Sequence, residues 1–321
     1  MRSMTRCFLL FAFTMLALSA QDSNFDGRWN IRVKTPRGRT WWLEVQGAGT
    51  GKPHGSFVGA PGGQVDPIKD IKVENGELIF RFENHSSSAD PKSPLVKQVY
   101  RAKLVNGELK GTRQESLAPM AAGLLEWTGV RAPVISEHDD GRWKPGRTVS
   151  LFDGKSLAGW KQLLPNEPGW YVEGGVLKNR TKASDLLSEA RFWNFEVKLE
   201  YRYAKGSNSG MALRGRYEIQ IFDNFGEAPD WHGNGALYSR IAPSTNASKA
   251  PGEWQTLTAR LVGRDLTVVL NGVKVIDRKD VVGPTAMCMD PDEDKPGPLM
   301  LQGDHGPVEF RKVEVTELQL R

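Results

Sequence analysis

The stretch from Gly206 to Asp223 carries the densest set of side chains able to do chemistry: Asn208, Arg214, Arg216, Glu218, Gln220 and Asp223. Strand residues two apart share a face, so Arg214, Arg216, Glu218 and Gln220 are expected to project together, backed by Ile219 and Ile221. Such a row is what a concave sheet offers a polar ligand; a solvated sheet face whose charges pair with one another has the same pattern. A second candidate is His305, in Leu301-Gln302-Gly303-Asp304-His305-Gly306, just before the strand-like Val308–Val313. An imidazole with an unperturbed pKa of about 6.5 can serve as general acid or base, or it can cap a turn. Trp231, in the polar loop 229–235, is the tryptophan expected to be accessible, and aromatic faces stack on the C–H faces of sugars.

Other chemistries are poorly served. There is no His-x-His or His-Glu-x-x-His, so no transition-metal site is expected. Asp290, Asp292, Glu293 and Asp294 form an oxygen-rich loop that could attract Ca²⁺, but the EF-hand spacing and its glycine are missing. Retaining sandwich glycosidases need two carboxyl groups about 5–5.5 Å apart, on a strand of alternating acids. Here Gln220 stands at the central acid position, Phe222 follows it, and Asp223 has the opposite parity unless a bulge turns it inward. An ordinary two-carboxylate glycosidase is disfavoured.

The elements that must position these groups are strands. Asn-Gly at 75–76, 106–107 and 271–272, and Gly-Gly at 174–175, each separate two apolar runs and mark hairpins. No stretch sustains a helical apolar period, and Ser184–Ala190 is expected to form a short helical turn at most. With 321 residues, 39% hydrophobic and 25% charged, the chain can bury a real core and make two domains. A polar, Pro- and Gly-bearing stretch, residues 133–147, is expected to be a linker between a small all-β domain at 24–132 and a larger one at 148–321. The first reads as a small antiparallel barrel or sandwich and the second as a jelly-roll sandwich. Arg2 and Arg6 around an apolar run, with small residues up to Ala20, read as a secretory signal over residues 1–20 that is too short to span a membrane. Export, to the periplasm or beyond the cell, is therefore expected. Its removal leaves Cys288 alone, so packing must hold the exported protein together. A net charge of +5, with cations interleaved among acids, gives no reason to expect nucleic acid as a partner.

The second region resembles a known family. Leu151-Phe152-Asp153-Gly154-Lys155-Ser156-Leu157-Ala158-Gly159-Trp160, Asn208-Ser209-Gly210, Leu213-Arg214-Gly215, Tyr217-Glu218-Ile219-Gln220-Ile221, Gly235-Ala236-Leu237-Tyr238 and Pro251-Gly252-Glu253-Trp254 occur in order. Leu270-Asn271-Gly272 and Gln302–Gly306 before Val308-Glu309-Phe310-Arg311 complete the set. Over residues 148–318 this is similar to the 3-keto-disaccharide hydrolases, also described as 3-keto-glucoside lyase/hydratase domains. The resemblance implies a concanavalin-like jelly-roll and carbohydrate chemistry with a sugar or oligosaccharide as ligand. A ketone at carbon 3 acidifies the hydrogen on carbon 2, so one base suffices to expel the glycosidic oxygen, and water then adds to the unsaturated sugar. On that reading Glu218 or His305 is the base and Arg214 faces the developing oxyanion. Asn208, Gln220, Asp223, Trp231, Gln302 and Asp304 hold the substrate, and a divalent metal ion could replace Arg214 as electrophile. A non-catalytic carbohydrate-binding protein is the alternative. A domain at 24–132 that serves adhesion or holds an apolar ligand fits either, and its removal should spare an activity that resides after Thr148.

Overall fold

The computed structural model describes residues 23–34, 39–59, 63–85, 92–116 and 124–321; the expected leader, residues 1–20, lies outside them. The described residues are all-β and form two compact units, one built from those up to Gly59 and from Val65–Ala132, the other from Pro133–Arg321 with Gly63 and Gln64. Among the described residues no helix is long and apolar enough to cross a membrane.

Among the described residues the first unit is a meander of nine strands: β1 Gly27–Val33, β2 Thr40–Gln46, β3 His54–Val58, β4 Asp66–Pro67, β5 Asp70–Glu74, β6 Glu77–His85, β7 Leu95–Val105, β8 Glu108–Glu115 and β9 Leu124–Arg131. Their order is β4-β3-β2-β1-β9-β8-β7-β6-β5. The two end strands are consecutive in the chain, with only Ile68 and Lys69 between them. Phe57 on β3 and Phe80 on β6, near opposite ends of that order, have ring centroids 5.2 Å apart, so the sheet rolls up into a barrel. Alternate residues point inward, and Trp29, Ile31, Leu43, Leu78, Tyr100 and Trp127 form one buried core. Trp41, Phe57, Phe80, Phe82 and Tyr100 pack ring against ring within it, so aromatic side chains occupy the interior that an apolar ligand would need.

The second unit is a jelly-roll sandwich of two antiparallel sheets. Its strands are β10 Trp143–Ser150, β11 Trp160–Gln162, β12 Trp170–Glu173, β13 Val176–Asn179, β14 Leu186–Phe192, β15 Phe195–Tyr203 and β16 Asn208–Leu213, followed by β17 Tyr217–Phe222, β18 Gln255–Val262, β19 Asp265–Leu270, β20 Val273–Asp280, β21 Gly297–Leu301 and β22 Val308–Leu320. The larger sheet runs β12-β13-β22-β15-β18-β19-β20 with β10 also on β22, and the smaller runs β11-β14-β21-β16-β17. Val197, Leu199 and Tyr201 of the one meet Met211, Ile219 and Leu301 of the other in a common core. The hairpin turns take the form their residues favour: Asn271 and Gly272 both have positive φ, 50° and 84°, as a two-residue primed turn requires.

Two expectations are corrected. Residues 133–147 are not a linker: Trp143 already opens β10 against β22, and Asp139 pairs with Arg260 at 2.7 Å, inside the second unit. Turn-forming residues there hold a strand's approach instead of separating bodies. Ser184–Ala190 is not helical either, because Leu186 and Leu187 pair with Leu301 and Met300 as part of β14.

Candidate functional site

The smaller sheet turns one face to the core and the other to a polar cluster. Across β14, β21, β16 and β17, the register sets Leu187 beside Met300, Met300 beside Ala212, and Ala212 beside Glu218. The next row holds Gly210 beside Gln220, and Gln302 donates its backbone N–H to Gly210 O at 2.8 Å. Odd-numbered Met211, Ile219 and Ile221 point the other way into the core, which is why the pattern of Glu218 and Gln220 is legible as one face. Glu218 is 3% exposed and lies directly over Gly210, where a Cβ would stand 2.5 Å from Glu218 Oε1. Gln220 Nε2 donates to Asn208 Oδ1 at 3.2 Å, which orients both amides. The side-chain oxygens of Gln220 and Gln302 are buried without a hydrogen-bond partner, and a buried acceptor in that state is set to receive a donor from a ligand.

His305 is delivered by the loop between β21 and β22. Gly306 N–H donates to Asn208 O at 2.7 Å, Gly303 N–H to Asp185 Oδ1 at 3.2 Å, and Asn179 Nδ2 donates to Gly303 O at 3.1 Å. Asp304 Oδ1 sits 2.6 Å from His305 Nδ1, and that hydrogen bond raises the imidazole pKa above its usual value. Burial opposes the rise; the charges of Asp304, Glu218 and Asp185 add to it. Thus Glu218, Gln220, Asn208, Gln302, Asp304 and His305 are gathered at one end of one face.

Along the outer side of β17 runs a loop that returns three backbone bonds: Gln220 N–H to Ala236 O at 2.9 Å, Gly235 N–H to Gln220 O at 2.8 Å and Tyr238 N–H to Glu218 O at 2.9 Å. Burial and the Glu218 charge push the Tyr238 phenol pKa up. The Tyr238 ring lies 5.0 Å from the His232 ring, and the His232 ring 6.1 Å from that of Trp231, which is 55% exposed. Trp231 therefore stands at the outer end of an aromatic series that begins beside Glu218.

Three expected participants lie elsewhere. Arg214 is fully buried in the turn between β16 and β17, donates to Trp193 O at 2.7 Å and Asn194 Oδ1 at 3.1 Å, and stacks on the Trp193 ring at 3.7 Å. Burial pulls its pKa down to about 10. Strand parity put it beside Glu218, but its positive φ of 53° ends the strand and turns the side chain away, so it does not face an oxyanion at this site. Arg216 likewise is held by Asp290 at 2.7 Å. Asp223 accepts from Gly206 N–H at 2.8 Å, and so braces the turn before β16 instead of facing a ligand. The acidic loop is engaged with the protein's own groups: besides Asp290, Glu293 accepts from Tyr217 Oη at 2.7 Å and pairs with Arg264 at 3.4 Å. Among the described residues no group of three His, Cys, Asp or Glu is arranged to hold a metal ion.

Asp185, Asn179 and Tyr238 were missed by spacing arguments. Each is a single polar residue at the end of an element or in a loop, where no periodicity marks it.

The profile of a family described as the 3-keto-alpha-glucoside-1,2-lyase-like domain matches residues 147–316. A 3-keto-disaccharide hydrolase from Bacteroides thetaiotaomicron is 32% identical over 76 residues, which is 20% of this chain and 26% of that protein. The match thus spans about a quarter of that curated relative. Two crystal structures of proteins from Parabacteroides distasonis, provisionally described as glycosyl hydrolases, are also similar. One is 26% identical over 58% of this chain and 91% of its own, with a TM-score of 0.46. The other is 25% identical over 54% of this chain and 100% of its own, with a TM-score of 0.43.

Proposed function

This chain belongs to the 3-keto-alpha-glucoside-1,2-lyase-like domain family, and from that premise we propose that it cleaves 3-keto-glycosides by elimination and then hydrates the product. The observation that carries the reading is Glu218 on a polar sheet face, its charge acting on His305 of the Asp304–His305 pair, beside two buried amide oxygens without partners. Asp304 holds His305 above the usual imidazole pKa, which suits an acid better than a base. Glu218 then takes the carbon-2 proton. The C–H electron pair forms an enolate across carbons 2 and 3. As the ketone re-forms, the carbon-1 to oxygen bond breaks, and His305 protonates the departing oxygen. Hydration adds water oxygen to carbon 1 and a proton to carbon 2, giving net hydrolysis. The Asn208 amide, oriented by its bond from Gln220, supplies an N–H for the enolate oxygen in place of Arg214, while Gln220 and Gln302 accept substrate hydroxyls. Trp231 offers a face for the leaving group.

Incubation with a 3-keto-glucoside bearing a chromogenic aglycone, beside its unoxidised parent, tests this directly. Release from the keto form alone is expected. Binding of both without release would identify a carbohydrate-binding protein instead, and release from the parent would sink the single-base scheme. Because His305 must carry its proton, kcat/KM should fall as pH rises through a midpoint above the ordinary imidazole value; a fall centred below 6.5 would contradict that role. Gly210→Ala should displace Glu218 while leaving the sheet folded, lowering kcat about 10–100-fold with an unchanged circular dichroism spectrum. The leader would place this chemistry outside the cytoplasm, in the periplasm or beyond, so mass spectrometry of the exported protein is expected to find Gln21 first.

A further inference from the structure

Asp185 is 1% exposed, and it precedes β14 by one residue. Continuing the pairing of Leu186 with Leu301 by one step sets it beside Gln302, on the face that bears Leu187, Met300 and Glu218. Its carboxylate accepts the Gly303 N–H at 3.2 Å, and the two segments run so close that a Cβ on Gly303 would stand 2.4 Å from Ser184 O. The residues that follow Gly303 are Asp304 and His305. An asparagine oxygen could accept the same bond, so Asp185→Asn separates the charge from the bond. The charged groups acting on His305 are Asp304 from its own loop, Glu218 from β17 and Asp185 from the approach to β14.

We propose that Asp185 is a positioning residue for the acid of this site: it fixes the 302–306 loop through Gly303 and sets a buried negative charge facing His305. The proposal rests on His305 as the acid in the reading above. Asp185→Asn keeps an oxygen for Gly303 N–H but removes the charge, whereas Asp185→Ala removes both. The His305 imidazole is titrated by NMR in the full chain, its resonance assigned with His305→Gln, and the pH profile of kcat/KM is recorded beside it. In Asp185→Asn the titration midpoint and the alkaline limb of the profile should both move to lower pH. Asp185→Ala should in addition lose about tenfold or more in kcat, from a misplaced loop. A His305 midpoint in Asp185→Asn that coincides with the wild type overturns the proposal, whatever happens to Asp185→Ala. Absence of keto-glycoside turnover by the wild type would instead defeat the elimination reading, and the NMR titration would still judge Asp185.

Discussion

Glu218→Gln is expected to lower kcat on a 3-keto-glucoside about 10²–10⁴-fold, the range a positioned general base contributes. The substitution keeps the shape of a side chain packed over Gly210 and removes only its ability to take the carbon-2 proton. KM should change little, because the amide can still hydrogen-bond. The loss should extend to exchange of the carbon-2 hydrogen with solvent deuterium, which reports proton abstraction apart from bond cleavage. Full exchange with lost cleavage would move the base role to another group, and full turnover would remove Glu218 from the chemistry. His305→Gln is the complementary case: it should spare exchange and slow departure of a poor leaving group more than a good one.

The largest effect on stability is expected at Glu293. Its carboxylate is fully buried, accepts from Tyr217 Oη and pairs with Arg264; its charge also acts on the largely buried Arg240. Glu293→Ala strips the counter-charge from two largely buried cations, a change that costs up to about 3–5 kcal/mol when a buried pair loses one member. Tyr217 opens β17 one residue before Glu218, so the damage should also disturb the site. Urea unfolding followed on the second unit would measure it; a loss below about 1 kcal/mol would mean that the acidic loop is only a solvated surface turn.

Why some of this was legible in the sequence, and some was not, has a physical basis. Period-two patterning and Asn-Gly turns depend on neighbours in the chain, so both all-β units could be read locally. So could the shared face of Glu218 and Gln220, since Ile219 and Ile221 must point to the core. Arg214 escaped the same rule because a left-handed residue ends strand parity, and nothing in Leu213-Arg214-Gly215-Arg216 states whether the turn begins before or after it. The stretch 133–147 reads as a linker because its bonds go to partners far along the chain: Asp139 to Arg260 and Glu137 to Trp193. Asp185 was invisible for the same reason. Its meaning comes from Gly303, which only the folding of β14 against β21 brings near.

The loop that lies along β17 has a consequence for how the protein behaves in company. A strand at the rim of a sheet exposes unpaired backbone groups and can template pairing with another chain. Here the rim strand also carries Glu218, so fraying or recruitment of a neighbouring strand would move the candidate base. The bonds from Gln220, Gly235 and Tyr238 cover the middle of that rim from within the same chain. Amide protons of Glu218 to Gln220 on β17 should accordingly exchange with solvent as slowly as those of an interior strand, and this rim can stay free of edge-to-edge association without the charged or proline-blocked border that open sheets commonly need.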